Sequence, residues 1–470
     1  MRESGPSLTE IGEWRYETVH HMGRRCWNWD YTERCIYEIT VVLKDRRKGW
    51  LGCLRENAQT QDQRENTQTQ DQRENARQEG VALGGFCRAN SGRRVRDARW
   101  FVELTADGEA VVDALQEMPR RYPQVSLLEW QVMPEHVHFV VFVKEKLDRP
   151  FGALVRGFKA GAVKRWKSLR ENAQTQDQRE NAQTQDQREN AQTQDQRENA
   201  QTQDQRELVS TELPEWSEGF VDVILWRDGQ LQAMLDYLAD NPRRLAMKRA
   251  DPGLFKRVVD LQIVLKIGDA SSRCREELVG HFSAIGNRFL LEAPLAQVQV
   301  SRRFCRYRRI TLPSGGSKIA RDASGEPIVE LETPEYRARR DELLAAARHG
   351  AVLVSPCVSD GERQIAREAL SAGMKLITML NKGFSPLQKP TGRYFDACAE
   401  GRLLMIAPCA WPYVPGEKPM TRFEATAMNR LCQWIVGDGA AYINYHGMKP
   451  ENIDELAIRS VCKEEAPSWR

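Results

Sequence analysis

Several features are absent from this sequence, and their absence argues against whole classes of protein. The eleven cysteines are odd in number and include no Cys-x-x-Cys pair, which argues against a disulfide framework or a thiolate zinc site. No apolar run approaches the ~18 residues that a membrane-spanning helix needs. The first residues, MRESGPSLTEIGEW, lack the apolar core of a signal peptide. We therefore expect a protein of the reducing cytoplasm with no membrane role.

Large apolar residues are also absent from a nine-residue unit, RENAQTQDQ, that repeats in two places. The repeats cover residues 55–79 and 170–207. A period of nine matches neither the coiled-coil nor the α-helical repeat, and units without large apolar side chains cannot bury a seam or a core. We interpret both repeats as solvated, low-complexity insertions that carry no chemistry.

The rest of the chain is long enough for two or three domains. Of its 470 residues, 41% are hydrophobic and 29% are charged, which is ordinary for globular proteins. We expect an N-terminal arm over residues 1–34, a first domain over 35–245 interrupted by the repeats, a basic connector over 246–285 and a C-terminal α/β domain over 286–470.

The hydrophobic pattern of the first domain predicts the order strand, strand, helix, strand, strand, helix, strand, helix. In chain order, the segments are YEITVVL at 37–43, WFVEL at 100–104, a helix at 110–118, a hairpin at 127–143 broken at Met133 and Pro134, a helix at 150–169, GFVDVIL at 219–225 and a helix at 229–241 that ends at Pro242. This order predicts an α+β sandwich with helices on one face of a largely antiparallel sheet.

In the C-terminal domain, short apolar strands alternate with helical stretches. The strands are AVLVS at 351–355, KLITML at 375–380 and RLLMIA at 402–407, with helices at 361–372 and 394–400. This alternation predicts a small parallel sheet with crossover helices. The segment is loosely similar to the Rossmann-like core of DNA-processing proteins. Residues 355–361 lie where such folds bind phosphate, but they contain no Walker or GxGxxG motif, and a structural turn is the favoured interpretation.

Two of the seven histidines, His136 and His138, flank one apolar residue in the motif Glu-His-Val-His. The segment reads as a strand, and side chains two apart on a strand point to the same face. Both imidazoles can therefore address one metal ion. An HxH pair alone is weak evidence, because it arises often by chance.

Tyr237 and Asn241 are four residues apart on a predicted helix and therefore share one face of it. An Asn carbonyl oxygen can complete a metal site with two histidines and leave positions open for water and phosphate. The purely structural interpretation is that Tyr237 packs beside Leu235 and Leu238, and that Asn241 ends the helix before Pro242.

The combination resembles the HUH-type single-strand transposases, and within them the transposases associated with repetitive extragenic palindromes. The resemblance covers roughly residues 35–245 outside the repeats. The segments that carry it are Val132 to His138, the helix with Phe158, Lys159 and Trp166, the pair Gly219-Phe220, and Tyr237 to Pro242.

That resemblance implies a ferredoxin-like sandwich, with His136 and His138 on a central strand and Tyr237 on a helix packed nearby. It implies that His136, His138 and Asn241 hold Mg²⁺ or Mn²⁺ and that Tyr237 attacks the scissile phosphate of single-stranded DNA at a hairpin or palindromic repeat. The product is a 5′-phosphotyrosine and a free 3′-hydroxyl. Two alternatives stay open: a nucleic-acid-binding protein of the same fold without turnover, and a phosphohydrolase that uses only the HxH site. Monomer and homodimer are both open.

Basic residues near these motifs are candidates for contacts with the DNA backbone. Charged side chains of this kind hold phosphates without reading sequence. The candidates are Lys159, Lys164, Arg165 and Lys167 on the helix after the HxH strand, and Arg243, Arg244, Lys248 and Arg249 after Asn241.

Overall fold

A computed structural model describes residues 29–57, 99–190, 212–227, 229–267, 276–311, 316–322, 326–385, 388–413, 420–437 and 449–462. The chain forms two compact units, of which the first ends at Ala246 and the second runs from Met247 over the described part of the C-terminal half. Both units mix helices with strands. None of the helices in the described part of the chain has the length and apolar character that crossing a bilayer requires.

The described part of the first unit contains six strands and three helices. In chain order these are β1 (Cys35–Val42), β2 (Gly52–Glu56), β3 (Trp100–Leu104), α1 (Ala106–Arg121), β4 (Val125–Met133), β5 (His136–Val143), α2 (Gly152–Asn190), β6 (Val221–Ile224) and α3 (Gln230–Ala250). Strands β4, β5, β1 and β6 form an antiparallel sheet in that order, and β2 pairs with β3 in a separate two-stranded sheet.

The core of this unit lies between one face of the four-stranded sheet and helices α1 and α2. The helices present apolar residues at helical spacing, such as Val111 and Leu115 on α1 and Phe158 and Trp166 on α2. Thr105 caps α1 by accepting a hydrogen bond from the N–H of Gly108. The Trp166 Nε1–H donates to the carbonyl of Asp107 at 3.0 Å, which joins the two helices.

Helix α3 packs on the other face of the sheet, so the expectation of helices on one face only was wrong. A small apolar cluster joins α3 to that face: Ile36, Val140, Leu225, Leu231, Met234, Leu235 and Leu238. The face is otherwise polar, with buried side chains such as Glu38 and Gln131. Alternation along a strand gives each face of the sheet its own set of residues. Here helices α1 and α2 cover one set, and helix α3 covers the other.

Two predicted boundaries were also wrong. Helix α3 continues through Pro242 to Ala250, because the residues around the proline are buried, including Asn241 and Arg244. Their burial outweighs the roughly 3 kcal/mol that a proline costs inside a helix. The first residues of each repeat belong to the folded unit: Arg55 pairs in β2, and buried Arg170 forms a bidentate ion pair with Asp107 at 2.6 and 2.7 Å. The first repeat lies outside the described residues after Asn57, and the second continues helix α2 to Asn190 and lies outside them from there on.

The second unit is built on a six-stranded mixed sheet in the order β7, β8, β16, β15, β14, β9. The parallel strands are β9 (Leu295–Gln297), β14 (Val352–Ser355), β15 (Leu376–Met379) and β16 (Leu403–Pro408), and β8 (Glu276–Gly286) runs antiparallel to β16 and to β7 (Val258–Ile267). The segment interpreted as a connector, 246–285, therefore contributes two strands to this sheet.

Helices cover both faces of the second sheet. The longer ones are α5 (Pro334–Arg348), α6 (Asp360–Ser371), α7 (Arg393–Ala399), α8 (Arg422–Val436) and α9 (Pro450–Val461), after a short α4 (Pro252–Phe255). Helices α5, α6 and α7 pack on one face, and α8 and α9 pack on the other. Two small two-stranded sheets complete the described part of the unit. In one, β10 (Cys305–Tyr307) pairs with β13 (Val329–Glu332), and in the other, β11 (Arg309–Thr311) pairs with β12 (Ser317–Ile319).

The loop 355–361 serves as a structured helix start. Ser359 caps α6, and the Glu362 carboxylate accepts hydrogen bonds from the N–H groups of Val300, Val358 and Ser359. Burial raises the pKa of Glu362 despite these donors. The carboxylate fills the position where a phosphate would meet the backbone, which agrees with the structural interpretation of this loop.

Candidate active site

The pairing of β1 with β5 builds a polar cluster on the sheet face that α3 covers. Thr40 lies directly opposite His138, and Val42 lies opposite His136. Glu38 is two residues before Thr40 and therefore shares its face. Both histidines and two polar residues of β1 thus meet on one side of the sheet.

The two imidazoles face each other through the same ring atom. His136 Nε2 lies 3.1 Å from His138 Nε2. The opposite nitrogens face carboxylates, with His138 Nδ1 2.8 Å from Glu38 Oε1 and His136 Nδ1 3.5 Å from Glu135 Oε1. A carboxylate beside Nδ1 favours a proton on that nitrogen and leaves Nε2 with its lone pair. The arrangement points two lone pairs at one place.

Protonation of His136 does not relieve this contact. Burial lowers the pKa of His136, the carboxylate of Glu135 opposes that shift, and the net direction is downward. The neutral form of His136 is therefore favoured at neutral pH. With Nδ1 protonated on both rings, the two Nε2 lone pairs are placed to share one cation.

Tyr237 lies beside this histidine pair. Its ring stands edge-on to that of His138, with centroids 5.9 Å apart and an angle of 85°. The guanidinium of Arg244 lies 5.3 Å from the centre of the Tyr237 ring. The side chain is 38% exposed, so it is open to a large substrate, and packing alone does not account for its position beside the histidine.

Asn241 follows one helical turn after Tyr237 and is buried at 6% exposure. Its Nδ2 group is buried without a hydrogen-bond partner, which is costly for a polar group. The residue types present fit a divalent cation: two imidazole nitrogens, and an amide side chain one helical turn after the tyrosine that contacts His138. Ligands at right angles around an ion with bonds of roughly 2.1 Å lie roughly 3 Å apart, in agreement with the distance between the two Nε2 atoms.

This donor set is small. Within the described ranges, no group of three or more His, Cys, Asp or Glu side chains is placed to hold a metal ion. Two histidines with one amide leave half of an octahedral shell to water and substrate oxygens, which is typical of Mg²⁺ at phosphate-transfer sites.

Several of the basic residues predicted to contact DNA are engaged within the unit. Lys159 is half-buried and donates to the carbonyls of Ser217 and Gly219, and burial lowers its pKa. Arg165 is paired with Glu117, and Arg243 is paired with Asp240. Arg244 is largely buried over Tyr237.

Lys164 differs from these residues, because it is exposed at the rim of a groove. The groove has a volume of about 770 Å³, with lysines on α2 along one wall and an apolar surface from residues 213–216. Lys167 is the second exposed lysine of this wall. Of the candidate lysines on α2, Lys164 and Lys167 are therefore exposed at the groove, whereas Lys159 is engaged with the fold.

Sequence reasoning missed Glu38 and Thr40. The alternation in YEITVV places these polar residues on one face and Tyr37, Ile39 and Val41 on the other, so a signal existed. The register that sets Thr40 opposite His138 is a tertiary property that this pattern does not contain.

Comparisons with known proteins add little to this geometry. Neither a scan against protein-family models nor a search of curated proteins gives a match. Among solved structures, the chain is similar to a REP-associated tyrosine transposase bound to a REP hairpin, with 14% identity and a TM-score of 0.21 over 46% of this chain and 70% of that one. A TM-score of this size does not establish a shared fold.

Proposed function

We propose that the first unit is an HUH-type, metal-dependent endonuclease and strand transferase that acts on single-stranded DNA through Tyr237. One observation carries the proposal: two imidazoles face each other at 3.1 Å through their Nε2 atoms, with an exposed tyrosine beside them. The fold also supports the proposal. The strands of the main sheet stand in the order β4, β5, β1, β6, with helix α1 between β1 and β4 in the chain and helix α2 between β5 and β6. This is the arrangement of a ferredoxin-like sandwich.

The chemistry is a transesterification. The Tyr237 hydroxyl oxygen attacks the scissile phosphorus, the phosphorus–O3′ bond breaks, and the phenol proton leaves to solvent while the departing oxygen becomes a 3′-hydroxyl. Phosphodiester energy is kept in the 5′-phosphotyrosine, so the reverse step can join strands. His136, His138 and Asn241 would hold a divalent ion, which would polarise the phosphate and stabilise negative charge. Arg244 adds a positive charge beside the phenol.

The groove next to α2 is a separate surface from the histidine cluster, because α2 and α3 pack on opposite faces of the sheet. The exposed Lys164 and Lys167 would hold backbone phosphates of a single strand in the groove next to α2, with the apolar surface available to bases. A hairpin or palindromic repeat is the proposed target, because a hairpin presents unpaired nucleotides at fixed positions for cleavage.

The test is to trap the covalent intermediate. The full chain is incubated with Mg²⁺ or Mn²⁺ and a labelled library of single-stranded hairpins, and denaturing gels are examined for a protein–DNA adduct. Tyr237→Phe should abolish the adduct. Tyr413→Phe is the matched control, since Tyr413 is 39% exposed and Tyr237 is 38% exposed; this control should leave the adduct unchanged.

The two alternatives predict other results. Cleavage that persists in Tyr237→Phe without an adduct would favour a phosphohydrolase based on the histidine pair. Binding without cleavage, in both metals and for all hairpins, would favour a nucleic-acid-binding protein that lacks turnover.

A further inference from the structure

Glu38 is a buried carboxylate, and burial of a charged group is unfavourable. It is 3% exposed in the centre of the four-stranded sheet, and an isolated charge at such a place costs many kcal/mol unless it is hydrogen-bonded. Its Oε1 atom meets two groups, His138 Nδ1 at 2.8 Å and Thr40 Oγ1 at 2.9 Å. The Glu38 side chain therefore contacts His138, the histidine whose ring lies beside Tyr237.

The hydrogen bonds of Thr40 define where the proton of His138 resides. Thr40 donates its single hydroxyl proton to Glu38, so the contact of 2.9 Å between Thr40 Oγ1 and His138 Nδ1 needs its proton from the ring. Glu38, as a carboxylate, also only accepts. Both neighbours of Nδ1 thus act as acceptors, and Nδ1 carries the proton.

We propose that Glu38 is a positioning residue that, together with Thr40, locks His138 in the tautomer whose Nε2 lone pair faces the cation site. The inference rests on the proposed function for the identity of the ligand as a divalent cation. Glu38 contacts Nδ1, on the far side of the ring from Nε2, and so acts through His138 rather than as a ligand. Outer carboxylates of this kind raise the basicity of a ligating histidine and fix its orientation.

The first measurement needs no variant. Selective ¹⁵N labelling of the seven histidines in the metal-free full chain allows the tautomer of His138 to be read from its ring nitrogen shifts, with His138→Gln for assignment. We expect protonated Nδ1 and unprotonated Nε2. The Nε2-protonated tautomer as the main form would overturn the proposal.

The second measurement is Mn²⁺ affinity by calorimetry without DNA. Glu38→Gln should weaken Mn²⁺ binding roughly 10- to 100-fold and introduce the other tautomer, because an amide can also donate to Nδ1. Thr40→Val should weaken binding in the same direction, and Thr40→Ser, which keeps the hydroxyl, should restore it. Glu103→Gln, which removes an exposed carboxylate of the same unit, is the control and should leave the affinity unchanged.

Failure of this inference is distinct from failure of the proposed function. Unchanged Mn²⁺ affinity and an unchanged tautomer in a folded Glu38→Gln protein would reject the role of Glu38, even if the wild type forms an adduct with DNA. Absence of any adduct in the wild type would reject the strand-transfer chemistry, while the tautomer and the Mn²⁺ affinity would still decide the role of Glu38.

Discussion

Lysines on one helix can be engaged with the rest of the fold or exposed, and α2 carries both kinds. The ammonium of Lys159 donates to two backbone carbonyls of the segment before β6, whereas Lys164 and Lys167 are exposed at the groove. We expect the double variant Lys164→Gln, Lys167→Gln to weaken binding of single-stranded DNA and to reduce the slope of log affinity against log salt by about 1 to 2.

Lys159→Gln serves as the contrast in the same titration. It should leave the salt slope unchanged and lower the free energy of unfolding, because the carbonyls of Ser217 and Gly219 lose a charged donor. Fluorescence anisotropy at several salt concentrations measures the slope, and urea unfolding measures the stability. A slope that falls for Lys159→Gln and stays constant for the double variant would reverse this assignment.

At the level of elements, α2 leaves the core through a defined anchor. Arg170 pairs with Asp107 and also donates to the carbonyl of Glu212, 42 residues later in the chain. Arg170, at the start of the second repeat, and Glu212, five residues beyond its last residue, therefore meet at one buried ion pair. Removal of one partner of such a pair is strongly destabilising, so this anchor holds the insertion to the unit independently of its length.

Deletion of residues 179–205, three complete repeat units, tests this independence. The deletion shortens the separation of 42 residues to 15 and keeps Arg170 and Glu212. Loop-closure entropy changes by only about 1 kcal/mol for this shortening. We expect the deletion variant to keep the urea midpoint of the first unit and the DNA adduct at Tyr237. Loss of folding or of the adduct would show that the repeat units contribute to structure or to chemistry.

The elements also show what the sequence could and could not predict. Both strands of the β4–β5 hairpin follow from alternation and from the break at Pro134, and the helix with Tyr237 follows from its apolar spacing. The sequence did not predict the sheet face on which that helix packs, because the apolar spacing of a helix contains no information about which face of a sheet it contacts. The strands β7 and β8 could have been predicted, because Leu261, Ile263, Leu265 and Ile267 alternate with other residues; the basic composition of the segment obscured this pattern.

For the molecule as a whole, the candidate chemistry is confined to one of two units. Every residue of the proposed site precedes Ala246, where the first unit ends. The second unit has its own cores on both faces of its sheet, and Trp434 is fully buried in one of them. Multidomain chains with separate cores commonly unfold in more than one step.

We therefore expect two transitions in the thermal unfolding of the full chain, and Trp434→Ala to shift only one. Truncation of a buried tryptophan costs roughly 3–5 kcal/mol, which is a large part of the stability of a domain. Calorimetry should show the transition of the second unit at lower temperature and the other unchanged. At a temperature below both transitions, the variant should still form the Tyr237 adduct at the wild-type rate. A single transition that moves as a whole, or loss of the adduct while the first unit stays folded, would mean that the second unit takes part in the stability or the chemistry of the first.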